Sequence, residues 1–259
     1  MPKTMIVPVD GSDESERAVQ VAQRLVAQLD RCELLVMAAS GPDDEDRREY
    51  LDALVGQATA SGMRAEFLED PDPALAIVRL AESLSGATVC MATHGRGRIA
   101  APFLGSVATG VVRQSTTPVL LVGPHCEPDW WHSSPKLVAC WAGAGSNAVL
   151  AWSRQWAADL GAEFWLESVF HPLDTRMAEN PRAEFEPALA SLGPDIQVHL
   201  LPIRAEYPPG AIVQSARDLP ATLLAMTTHA RTGIAHTALG SVAMAVVHRS
   251  PCPVLVAHT

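Results

Sequence analysis

No apolar run in the chain reaches the about 18 residues that a membrane-spanning helix needs, so its hydropathy does not ask for a bilayer. Several enzyme signatures are missing too. There is no Gly-x-x-x-x-Gly-Lys-Ser/Thr stretch, which argues against a P-loop ATPase. The five cysteines, Cys32, Cys90, Cys126, Cys140 and Cys252, contain no Cys-x-x-Cys pair. An odd set placed mostly in apolar runs reads as reduced thiols rather than a disulfide framework. His125, Cys126 and His132 do not make a zinc spacing, and no carboxylate pair stands at a recognisable catalytic interval, so no protein-ligated metal is expected. Basic residues are scarce: 19 Lys and Arg face 29 Asp and Glu, a net charge of −10. That balance disfavours general attraction to nucleic acid or to an anionic membrane, and any phosphate site must be local. The opening residues Met1 to Val9 lack the basic region and apolar stretch of a secretory signal, so the expected location is the cytoplasm.

What the chain does have is core. Apolar residues make up 48% and charged residues 19%, which fits a well-buried globular protein. A length of 259 residues allows one large domain or two ordinary ones. Internal repetition decides. Thr93-His94 recurs as Thr228-His229, Leu104-Gly105-Ser106-Val107-Ala108 as Leu239-Gly240-Ser241-Val242-Ala243, and Pro118-Val119-Leu120 as Pro253-Val254-Leu255, each 135 positions on. Ala76-Ile77-Val78 and Ala211-Ile212-Val213 share that offset. Two copies of one domain follow.

Within each half, short apolar runs alternate with stretches of helical period, the pattern of βαβ units on a parallel sheet. Strands are predicted near 4–10, 32–38, 64–68, 87–92 and 117–122, then near 136–142, 162–169, 195–201, 221–227 and 252–257. Asp13 to Leu29 and Ser146 to Leu160 gather apolar residues on one face as sheet-covering helices. The fold class is therefore α/β, with two tandem five-stranded parallel-sheet domains at 1–125 and 136–259 joined by a linker at 126–135. Trp130 and Trp131 in that linker read as docking anchors in preference to a base-stacking platform.

The strongest chemical signal is the stretch from Ala92 to Ser106, ATHGRGRIAAPFLGS, between an apolar strand and a helix. Glycines let a backbone approach an anion, and a helix start offers unpaired N–H groups with the positive end of a dipole. Ser106 adds a hydroxyl, and Arg96 and Arg98 add positive charge in an acidic protein. His94 beside this loop has three readings, as a general acid, an anion donor or, preferably, a structural hydrogen-bonder. The acidic run Asp43 to Asp46 reads as a solvated helix start.

At these residues the chain resembles the universal stress protein family, whose ATP-binding members carry Gly, two residues, Gly, nine residues, then Gly and Ser or Thr. Gly95, the nine residues Arg96 to Leu104, and Gly105-Ser106 match, while Ala92 replaces the first glycine. Val7-Pro8-Val9-Asp10-Gly11-Ser12 looks like the family's first strand with its nucleotide-contacting aspartate. The terminal strands, Thr117 to Val122 and Cys252 to Val256, are also similar. The resemblance implies a Rossmann-like, nucleotide-binding α-hydrolase-like fold, packed as an internal pseudo-dimer through edge strands and open to homodimer formation. It also implies ATP, with or without Mg2+, as ligand. The residues it assigns to the nucleotide are Pro8, Val9, Asp10 and Gly11; Met37 and Ala38 at the base; Thr93, Gly95, Arg96 and Gly97; and Gly105, Ser106 and Val107. Asp10 could instead serve as a loop cap.

The second copy is poorer. Thr227 and Ala230 stand where the glycines are expected, and Ala142 stands in place of Asp10. The preferred expectation is one adenine-nucleotide site, in the first domain of a regulatory or stress-response protein with an unidentified protein partner. Two other readings stay open: a scaffold that no longer depends on nucleotide, and a slow ATPase or nucleotidyl transferase.

Overall fold

A computed structural model describes residues 2–40, 45–57, 63–95, 104–174, 180, 182–194, 196–228 and 239–257. The chain divides into two compact units, Met1–Pro124 and His125–Thr259.

The first unit runs β1 (Thr4–Pro8), α1 (Asp13–Val26), β2 (Glu33–Ser40), α2 (Glu45–Gln57), β3 (Met63–Glu69), α3 (Pro73–Ser83), β4 (Ala87–Ala92), α4 (Ser106–Gln114) and β5 (Val119–Val122). Its strands lie in the order β3-β2-β1-β4-β5, and every pair is parallel. Thr4 to Val7, Thr88 to Met91 and Val119 to Val122 are buried throughout, as strands covered by helices on both faces must be. α1 forms where Ser12 caps it: the Ser12 hydroxyl accepts from the Ser15 N–H at 3.2 Å, and Asp13, Glu14 and Glu16 complement the dipole of its first turn. Its stripe of Ala18, Val21, Ala22 and Leu25 is buried. α3 begins in the same way, with Asp72 accepting from the Leu75 N–H at 3.1 Å and Pro73 in the first turn. α3 and α4 approach so closely that a Cβ on Gly110 would lie 2.6 Å from the Ala74 Cβ.

The second unit repeats the plan with β6 (Lys136–Cys140), α5 (Ala148–Leu160), β7 (Glu163–Phe170), α6 (Glu186–Leu192), β8 (His199–Arg204), α7 (Pro208–Asp218), β9 (Leu223–Thr227), α8 (Ser241–Arg249) and β10 (Val254–Ala257). Its order is β8-β7-β6-β9-β10, again parallel. The stretch after His125 is carried by this unit: Glu127 N–H donates to the Pro251 carbonyl at 2.8 Å, and His125 Nδ1 donates to the His248 carbonyl at 2.7 Å. Trp130 is buried, with its ring edge-on to Trp131 at 5.4 Å.

Four predicted strands begin two or more residues later than the apolar pattern places them, β9 among them at Leu223. β5 and β10 start after Pro118 and Pro253, which have no N–H for a ladder. β8 starts at His199, the first residue opposite β7 through the Trp165–His199 pair, whereas Ile196 and Val198 only mimic strand alternation. Among the described residues no helix is long and apolar enough to cross a membrane.

Candidate functional site

In the first unit the strand order reverses between β1 and β4, where ligands of open α/β sheets sit beyond the carboxyl ends of strands. The chain leaving β1 at Val9-Asp10 emerges there beside the chain leaving β4 at Thr93-His94-Gly95. Between them opens a cavity of about 470 Å3. Its walls come from Pro8 to Asp10, from Met37 and Ala39 on β2, from Met91 to Gly95, and from Leu104 to Ala108 at the start of α4.

Asp10 is held in place from its own loop. Its Oδ1 accepts from the Ser12 N–H at 3.1 Å and from the Ser12 hydroxyl at 2.5 Å, while its backbone N–H reaches the Ser15 hydroxyl at 3.4 Å. Gly11 makes the turn at φ +79°, in the left-handed region. The other carboxylate oxygen, Oδ2, occupies the space of a side chain at residue 95. A Cβ there would overlap Oδ2 and lie 3.1 Å from Asp10 Cγ.

The helix start is tied to the same loop by the Gly105 N–H, which donates to the Thr93 carbonyl at 2.8 Å. A Cβ on Gly105 would sit 3.3 Å from that carbonyl oxygen. Among the described residues no side chain caps the first turn of α4, which leaves its N–H groups to an anion. His94 joins Thr93 through Nδ1, 3.0 Å from the hydroxyl, and its buried Nε2 has no hydrogen-bond partner among the described residues.

Pro8, Val9, Asp10, Met37, Thr93, Gly95, Gly105, Ser106 and Val107 therefore share one cavity wall. Gly11 shapes the turn without lining it, and Ala38 gives way to Ala39 because alternate residues of β2 face opposite sides of the sheet. Arg96 and Gly97 lie outside the described residues, as does Arg98. Ser15, Arg47, Pro73, Ile77 and Met91 also line the cavity, though nothing in the sequence marks them as site residues. Arg47 on α2 donates to the Ala39 carbonyl at 3.2 Å, which brings a guanidinium to this cavity from the helix that begins in the acidic run.

The second unit has a cavity of about 280 Å3 at the matching place. The Trp141 N–H donates to the Glu167 carbonyl at 2.8 Å, as the Val9 N–H donates to Met37 at 2.9 Å. Glu167 thus takes the position of Met37, and Ala142 that of Asp10. The Gly240 N–H donates to the Thr228 carbonyl at 2.7 Å, repeating the Gly105–Thr93 bond. His229 to Gly233 lie outside the described residues. Glu167 is fully buried, and burial pushes its carboxyl up to about 7 against the lowering effect of the Ser215 hydroxyl, which donates to Oε2 at 2.6 Å. Among the described residues no group of three or more His, Cys, Asp or Glu could hold a metal ion.

Comparison with known proteins bears on these two matching sites. Residues 1–123 and 143–258 both match the model of the universal stress protein family. The chain belongs to that family. A universal stress protein of Mycobacterium tuberculosis H37Rv is 30% identical over 187 residues, 65% of this chain and 61% of that protein. The chain thus spans less than two thirds of that relative's length. A universal stress protein of Thermus aquaticus, from the QAH/OAS sulfhydrylase 3' region, is 31% identical over 135 residues, 46% of this chain and 98% of the relative. Its full length corresponds to about one half of the tandem. Among solved structures, a universal stress protein from Archaeoglobus fulgidus superposes with a TM-score of 0.74 at 22% identity, covering 100% of this chain and 99% of that one. The tandem universal stress protein fold is shared over the whole length.

Proposed function

We propose that the first unit binds an adenine nucleotide, ATP with or without Mg2+, and that the chain is a nucleotide-responsive regulatory protein of the stress response. The observation that carries this reading is the contact of Asp10 with Gly95 at the mouth of the 470 Å3 cavity. A carboxylate suits ribose hydroxyls, and a glycine at that point leaves the backbone open to a phosphate. Ligand cavities span roughly 300–1,000 Å3, so the volume suits a nucleotide.

Each residue then has a role. Met37 and Ala39 would flank the base, and Asp10 would accept from the sugar. The Gly95 and Gly105 backbone, the Ser106 hydroxyl and the uncapped first turn of α4 would take the phosphates. His94 Nε2, buried and unpartnered among the described residues, would donate to a phosphate oxygen, and the Arg47 guanidinium would add charge. Occupancy would stabilise the first unit by mass action and bias its conformation, without hydrolysis. A cytoplasmic location and a regulatory protein partner belong to the same proposal. The second unit, with Ala142 in place of Asp10, would not share the nucleotide.

Mass spectrometry of the denatured purified protein should find an adenine nucleotide, or ATP added to stripped protein should bind in titration. Absence of both co-purified and added nucleotide refutes the reading. A protein partner captured equally by wild type and by Asp10→Ala would favour the nucleotide-independent scaffold instead.

A further inference from the structure

The cavity of the second unit is built around a group that has no place in a phosphate site. Trp141, Val169, Ile212, Met226 and Val242 give it an apolar wall. Into that wall are set two polar side chains with unmet hydrogen-bonding capacity: Glu167 Oε1 and Thr228 Oγ1 are buried and have no hydrogen-bond partner among the described residues. Glu167 is fully buried and Thr228 is 2% exposed. Among the described residues the one hydrogen bond to the Glu167 carboxyl comes from the Ser215 hydroxyl to Oε2, which leaves Oε1 unsatisfied. Such a group is costly to ionise unless something supplies charge and donors. Among the described residues no lysine, arginine or histidine lines the cavity.

We propose that this cavity binds a compact cationic nitrogen base, an aromatic amine or amidine, through Glu167. The ligand's N–H groups would satisfy Oε1, and its positive charge would balance the carboxylate. The ring would cover apolar area at Trp141, Ile212 and Met226. A volume of about 280 Å3, near the lower end of ordinary ligand cavities, selects a ligand of about one ring system. A nucleoside polyphosphate is disfavoured because Ala142 offers no sugar acceptor and the Glu167 carboxylate repels anions. The inference is independent of nucleotide binding in the first unit.

Binding is coupled to a proton. The free Glu167 carboxyl, pushed up to about 7, holds its proton in mildly acidic solution, and the cation binds the ionised form. Among the described residues, the groups facing Glu167 leave it as the titrating member of the site. Cys140 on β6 is a thiol pushed up by burial and by Glu167 itself, and Cys252, before β10, is pushed up to about 12. α7 contributes Ser215, β9 contributes Thr227 with Thr228 after it, and α8 contributes Ser241, none of which ionises in this range.

Calorimetric titration of the full chain with benzamidine and its neutral isostere benzamide tests the proposal. Benzamidine should bind one site, at least tenfold more tightly than benzamide. Its affinity should be constant above about pH 7 and fall about tenfold per pH unit below that, with about one proton released per ligand at pH 6. Glu167→Gln, isosteric with the protonated acid and checked for folding by thermal unfolding, should lose benzamidine binding, while Asp10→Ala should retain it. The proposal is overturned by equal binding of benzamide, by pH-independent affinity, by retention in folded Glu167→Gln, or by no benzamidine binding at millimolar concentration. The wild-type comparison decides even if the variant does not fold.

Discussion

The Asp10 carboxylate fills the space that a Cβ on Gly95 would need. The two residues are thus matched sterically: one supplies an acceptor after β1, and the other has no side chain to collide with it. The second unit changes both together in sequence, with Ala142 for Asp10 and Ala230 for Gly95. A glycine at this point is the complement of the aspartate as much as an opening for phosphate.

Gly95→Ala should therefore destabilise the first unit by about 1–3 kcal/mol, the range for an overpacked site, and should weaken ATP binding by displacing Asp10. Combining it with Asp10→Ala should recover most of the stability and none of the binding. Urea unfolding of the four proteins in the double-mutant cycle reads this coupling, and additive effects would contradict the contact.

The fold was legible because its signals are periodic and repeated. Buried strands such as Met5 to Val7 and Val119 to Val122 read as apolar runs, and Leu104 to Ala108 and Pro118 to Leu120 recur 135 positions on. The site was legible wherever its residues sit in the chain segments leaving β1 and β4. Ser15, Arg47 and Ile77 escaped because they reach the cavity from three different helices, and only tertiary packing brings them together. Glu167 escaped for another reason. The copies stay in step at an offset of 135 from Ile77 onward, but the offset is 132 from Val9 to Trp141 and 130 from Met37 to Glu167. Unequal loops between the strands hide that equivalence from a gapless comparison.

Gly110 gives a test of helix packing. In an exposed helix, glycine to alanine would gain about 1 kcal/mol from propensity. Here the added methyl would meet Ala74 Cβ at 2.6 Å, so Gly110→Ala should lower stability by about 1–3 kcal/mol. Thermal unfolding of the variant reads the sign, and a raised midpoint would contradict the close α3–α4 approach.

Glu167 ties stability to pH. Its carboxyl is raised from 4.5 to about 7 in the folded protein, so the native state holds a proton that the unfolded chain releases between those values. Stability contributed by this group is full below about 4.5, falls as pH rises toward about 7, and is flat above, with a total loss of about 3 kcal/mol at most. Urea unfolding at pH 5, 6, 7 and 8 should show this fall in wild type relative to Glu167→Gln. Parallel pH curves for the two proteins would contradict it.

The proposed function rests on one nucleotide site, held by Asp10 in the first unit. Calorimetric titration of the full chain with ATP should give one site per chain, and Asp10→Ala should weaken it at least tenfold, about 1.4 kcal/mol. Two equal sites, or an unchanged affinity in folded Asp10→Ala, would contradict it.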